Sequence, residues 1–115
     1  MAESVNFEVI QGDTFTLNVT YRNKDGSVVD LTGYNISFSV RDSLGGKVLC
    51  ATCSIGDGIE FVDALTGKFR LEVSPEKTRK FVVPRSVYQL QLISPSGIKT
   101  TVASGTFAVE KGNLV

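Results

Sequence analysis

Residues 30 to 41 read Asp30-Leu31-Thr32-Gly33-Tyr34-Asn35-Ile36-Ser37-Phe38-Ser39-Val40-Arg41. The first four are turn chemistry: an aspartate that can accept hydrogen bonds from the amides it precedes, and a glycine that can take a positive φ. Leu31, between them, is placed to plug the end of a core. Beyond the turn, Ile36, Phe38 and Val40 share one parity while Ser37, Ser39 and Arg41 share the other. That two-residue period is the mark of a strand with one buried face.

The same pattern extends upstream. Phe15, Leu17, Val19 and Tyr21 alternate with Thr14, Thr16, Asn18, Thr20 and Arg22, which predicts a strand over 14–22. Before it, Val5, Phe7 and Val9 share a face in a first strand, expected at a sheet edge and broken by Gln11-Gly12-Asp13. Asn23-Lys24-Asp25-Gly26 should reverse the chain ahead of Val28-Val29.

Downstream, Asp42-Ser43-Leu44-Gly45-Gly46 predicts a turn and Lys47 to Ser54 a shorter strand. Ile59 to Val62 and Lys68 to Val73 are expected to form a hairpin, with Phe69, Leu71 and Val73 inward. Ser74 followed by Pro75 predicts a capped helical turn near residues 74–80, with Pro84 preventing its continuation. Ser86 to Ile93 alternates again, with Tyr88, Leu90 and Leu92 on one face, and Ser94-Pro95-Ser96-Gly97 leads into the last strand. There the parity slips between Val102 and Phe107, and a bulge at Gly105 is expected to restore it.

This order predicts an all-β protein, an immunoglobulin-like antiparallel β-sandwich of 7–8 strands with one short helical turn. A small closed barrel is the competing architecture. Tyr88 and Leu90 match the spacing of a tyrosine corner and the core position two residues after it. Residues 1–115 are expected to make one domain with short flexible ends.

Composition narrows the function classes. Twelve basic residues balance twelve acidic ones, so the basic footprint that binding to nucleic acid requires is missing. No apolar run is long enough for a membrane helix, and the segment from Met1 to Asn6 lacks the pattern of a secretory signal. Histidine is absent, which removes the commonest general base and metal ligand near neutral pH.

The remaining motifs have structural readings. Cys50 and Cys53 form C-x-x-C, but a zinc site needs two more ligands and a redox site needs a helix amino terminus, while this pair falls in a strand. One packed and one surface cysteine is the expectation. Asn18-Val19-Thr20 and Asn35-Ile36-Ser37 fit the glycosylation sequon as outward strand positions. Lys24-Asp25-Gly26 and Gly56-Asp57-Gly58 lack the series of oxygen ligands of a calcium loop. Lys77, Arg79, Lys80 and Arg85 read as a solvated basic face, with contact to an acidic partner as the sharper alternative. No catalytic, cofactor-binding or metal-binding residue is assigned, and no enzymatic activity is expected.

The ordered set Gln11-Gly12-Asp13-Thr14, Lys24-Asp25-Gly26, Asp30-Leu31-Thr32-Gly33-Tyr34, Gly67-Lys68-Phe69-Arg70-Leu71, Ser74-Pro75-Glu76, Tyr88-Gln89-Leu90 and Ser104-Gly105-Thr106-Phe107 resembles small virion structural proteins of tailed bacteriophages. It is similar in particular to the amino-terminal immunoglobulin-like domain of phage upper baseplate proteins. The resemblance implies a non-enzymatic tail, baseplate or head component, made in the host cytoplasm and carried in the virion. Its implied partners are other virion proteins, or copies of itself in symmetric rings, with no nucleic acid, membrane or cofactor. Family members continue into receptor-binding or coiled-coil regions where this sequence stops at Val115, which points to a small accessory component. The alternative is a stand-alone binding module for a carbohydrate or host protein, for which exposed aromatic rings would be the sign; Tyr34 and Phe81 are the two whose direction the pattern leaves open.

Overall fold

Ile36, Phe38 and Val40 do face a common core, all three almost wholly buried. The turn ahead of them is built as its residues predict. The Thr32 amide donates to Asp30 Oδ1 at 2.9 Å, Gly33 sits at φ 82°, and Leu31 is fully buried.

The structure, a computed structural model, describes residues 3–42 and 49–111. Among the described residues nine strands form: β1 Glu3–Ser4, β2 Phe7–Ile10, β3 Phe15–Thr20, β4 Asn35–Arg41, β5 Leu49–Ile55, β6 Gly58–Asp63, β7 Lys68–Val73, β8 Arg85–Ile93 and β9 Lys99–Glu110. A 3-10 turn, Ala64–Thr66, joins β6 to β7, and one short helix, α1, spans Pro75–Thr78. The strands follow the order β1-β9-β8-β4-β5-β6-β7-β3, with β2 also paired to β9. This strip folds over on itself into two layers: Phe15 of β3 lies 5.2 Å from Phe7 of β2 and 5.0 Å from Phe107 of β9, ring centre to ring centre. The fold is an immunoglobulin-like β-sandwich.

Most ladders are antiparallel, but three are not. The chain crosses between layers where β5 meets β6 in a short parallel pairing, Ser54 with Gly58 and Ile55 with Ile59. The amino-terminal segment runs parallel to β9, Glu3 opposite Ala103 and Phe7 opposite Phe107, a constant step of 100 positions. It is one strand interrupted at Val5 and Asn6, which is why the count is nine; read as one, it gives eight.

Gly105 explains the interruption. A Cβ there would lie 2.1 Å from the Val5 carbonyl oxygen, so only glycine lets the two backbones approach this closely. The Val5 amide donates to the Ser104 carbonyl at 3.1 Å, and Asn6 Oδ1 accepts from the Thr106 amide at 3.2 Å in place of a backbone carbonyl. The bulge expected at Gly105 is displaced: Leu90 pairs with Ala103 and Gln91 with Thr101, so Val102 is the extra residue. The parity change in the sequence is thus real, and Gly105 serves a different contact.

Around Phe107 the core is aromatic. Its ring lies within 6.3 Å of five others, those of Phe7, Phe15, Phe38, Phe81 and Tyr88. Phe81, whose direction the sequence left open, is therefore core, and Tyr34 is half-buried. Tyr88 occupies the expected inward position, but its hydroxyl donates to the Val5 carbonyl at 2.6 Å, tying β8 to the amino-terminal strand rather than to a turn just upstream as a tyrosine corner does.

The helical turn is shorter than 74–80. Ser74 caps it, Pro75 opens it, and the Arg79 amide bonds back to the Pro75 carbonyl as it ends. Buried Thr78 holds it to the sandwich: its hydroxyl donates to the Asp13 carbonyl at 2.8 Å and accepts from the Gly12 amide at 3.0 Å. The turn predicted at 42–46 lies outside the described residues apart from Asp42, as does the frayed tail apart from Lys111.

Candidate functional site

The alternation in β3 decides which way its side chains point but leaves open whether that face is covered. Phe15, Leu17, Val19 and Tyr21 all point inward, as predicted, yet each is only half-buried. The reason is topological. β3 ends the strip, pairs with β7 alone, and has no ladder partner on its other side among the described residues.

Beside this open edge runs a groove of about 840 Å³. Leu17, Val19 and Tyr21 form one wall, Val5, Phe7, Val102 and Ala103 the other, and Phe38, Tyr88 and Leu90 the floor. Its rim holds Arg22 and Lys24, with no carboxylate among the described lining residues. At the opposite end of β3 a second cleft, about 370 Å³, is lined by Glu8, Asp13 and Glu110, with no cation among its described lining residues. The open side is therefore apolar along its length, acidic at one end and basic at the other.

The edge itself is undefended. Natural edge strands are usually blunted by charges, proline or bulges. β3 has the sequence Phe-Thr-Leu-Asn-Val-Thr, and its register with β7 is unbroken through six pairs, Phe15 with Val73 to Thr20 with Lys68. The other free edge differs, since β2 carries exposed Glu8 and is preceded by the break at Val5 and Asn6.

The other motifs resolve into structure. Cys53 is buried, and burial raises its thiol pKa despite the nearby Lys77 ammonium. Lys77 Nζ donates to the Thr52 carbonyl at 2.7 Å, to Asp57 Oδ1 at 3.0 Å and to Cys53 Sγ at 3.6 Å. Partial burial opposes its charge, but the hydrogen bond and the charge of Asp57, with the contact to Cys53, outweigh that and leave its pKa raised. Lys77 thus clamps α1 to β5 and the layer crossing, while Arg79, Lys80 and Arg85 are exposed. The Cys50 side chain lies outside the described residues. Among the described residues, no group of three or more histidine, cysteine, aspartate or glutamate side chains could hold a metal ion, and no helix is long and apolar enough to cross a membrane.

Asp25 and Asp30 act as turn acceptors. Asp25 Oδ1 accepts from both the Ser27 hydroxyl, at 2.7 Å, and the Ser27 amide, at 2.9 Å, which lowers its pKa. Hydrogen bonds from Thr32 do the same for Asp30.

Fold and site together define a β-sandwich with one side open along β3 among the described residues. Neither a protein-family model nor a curated protein matches this sequence. Among solved structures the chain is similar to CopC from Methylosinus trichosporium OB3b, with 16% identity, coverage of 100% of this chain and 90% of that one, and a TM-score of 0.49.

Proposed function

We propose that this chain is a non-enzymatic structural or accessory protein of a tailed-bacteriophage virion, a tail, baseplate or head component that works by protein–protein assembly. The observation that carries the reading is the open β3 edge beside a half-exposed apolar groove. Such an edge offers backbone donors and acceptors and apolar surface together, which is what strand addition by another protein uses. The ordered motifs of the phage resemblance supply the virion context, and the balanced charge favours protein partners over nucleic acid.

A carbohydrate-binding module is the weaker reading. Sugar recognition commonly uses exposed aromatic faces, and all seven phenylalanines and three tyrosines here are buried or half-buried.

Quantitative mass spectrometry of purified phage particles tests the proposal. The chain should be present at a fixed copy number relative to the portal or tail proteins, and its gene should lie among theirs. Its absence from particles, or a gene set among metabolic enzymes, would overturn the reading.

A further inference from the structure

We propose that the partner at the open edge is a second copy of this chain, added antiparallel through β3 so that the two β6-β7-β3 layers join into one six-stranded sheet. This rests on reading the open side as an assembly surface; it does not depend on the virion assignment.

The Tyr21 amide donates to the Gly67 carbonyl at 2.8 Å, on the side of β7. In an antiparallel strand the N–H and C=O of one residue point the same way and alternate along the chain. Phe15, Leu17 and Val19 therefore bond β7, and Thr16, Asn18 and Thr20 present their amides and carbonyls outward. Their side chains are exposed, short, polar and uncharged, so nothing on the solvent face repels an identical strand.

Charge then selects the orientation. Asp13 precedes β3, while Arg22 and Lys24 follow it. Antiparallel pairing about a two-fold axis at Asn18 sets Thr16 opposite the partner's Thr20, and carries the acidic end of each strand to the basic end of the other. Parallel pairing would put like charges together. In this register every outward-facing residue meets another outward-facing one, so the free amides and carbonyls are satisfied reciprocally.

Burial supports the same partner. A sheet continued edge to edge keeps its inner face on one side, so the partner's Leu17 and Val19 come to rest beside the half-buried Leu17 and Val19 of the first copy. The two grooves then meet and shield each other from water. A stable pair needs an interface on the order of 1,000 Å² or more, and the joined grooves supply apolar area beyond the strand itself.

The test uses the full chain and two substitutions at the exposed axis position, Asn18→Lys and Asn18→Glu. Sedimentation over an about hundredfold concentration range should show a monomer–dimer equilibrium for the unsubstituted chain. Each variant alone places like charges across the axis and should weaken dimerisation about fivefold or more. An equimolar mixture of the two should restore it as a heterodimer, which a loss of folding could not do. Hydrogen exchange should show the amides of Thr16, Asn18 and Thr20 protected at high concentration only. A chain that stays monomeric throughout, or a dimer indifferent to both substitutions, would overturn the pairing. Either result leaves the virion reading to stand or fall on the particle measurement.

Discussion

Replacing Gly105 with alanine isolates one contact with little else changed. Gly105 is not among the positive-φ glycines, so alanine suits its backbone, and the damage comes from space alone. The new Cβ would start 2.1 Å from the Val5 carbonyl oxygen, where ordinary contact begins at 3.4 Å, so Val5 must retreat by the difference, about 1.3 Å. The Tyr88 hydroxyl, now 2.6 Å from that oxygen, then loses it, and the Val5 to Ser104 bond at 3.1 Å goes too. Asn6, tethered to Thr106, is drawn away with its neighbour. At about 1 kcal/mol for each net hydrogen bond, with more for a hydroxyl stripped of its acceptor in a part-buried setting, Gly105→Ala should cost about 2–4 kcal/mol. Urea denaturation measures the total. Hydrogen exchange locates it, with the Val5 and Thr106 amides losing protection while those of β4 and β8 keep theirs. A cost under about 0.5 kcal/mol with both amides still protected would refute the steric account.

Other outcomes follow from the core and the turns. Truncating Phe38 to alanine should cost about 3–5 kcal/mol in chemical denaturation, and Phe107→Ala should fall at the top of that range or above, because its ring touches five others. Asp30 has a folded pKa below its ordinary 3.8, so its contribution is complete above that value and lost as pH falls through the lowered one. Asp30→Asn should flatten the loss of stability on acidification below about pH 4, read by thermal unfolding at stepped pH. Cys53, buried and with a raised thiol pKa, should resist iodoacetamide in the native state and react when urea unfolds the chain, as peptide mapping would show.

Much of this fold is legible in parity alone. Ile36, Phe38 and Val40, then Phe69, Leu71 and Val73, then Tyr88, Leu90 and Leu92 alternate cleanly because each strand has a solvent face opposite the core, and the structure buries all nine. Turns were equally readable where side-chain chemistry is local, as at Asp30 and Ser74. Pairing was not: the parallel run of the amino-terminal strand along β9, and the shift of the bulge from Gly105 to Val102, depend on residues far apart in sequence. Phe81 shows the same limit, since it falls between elements where no period applies. The candidate site was hidden for a related reason. The alternation of β3 is the same whether its face is sealed or left half-open, and only strand order shows that it has no second neighbour among the described residues.

The step of 100 positions between the amino-terminal strand and its partner also sets a timetable. A ribosome adding about 5–20 residues per second needs roughly 5–20 s to make the span between them. Through that interval the first strand leaves the ribosome without its ladder, and the aromatic cluster lacks Phe107, the ring that joins its members. Closing so long a loop comes at an entropic cost before any contact repays it, so completion of the domain is expected to be late and slow compared with its hairpins. Until then the unpaired strands are the segments most in need of a chaperone.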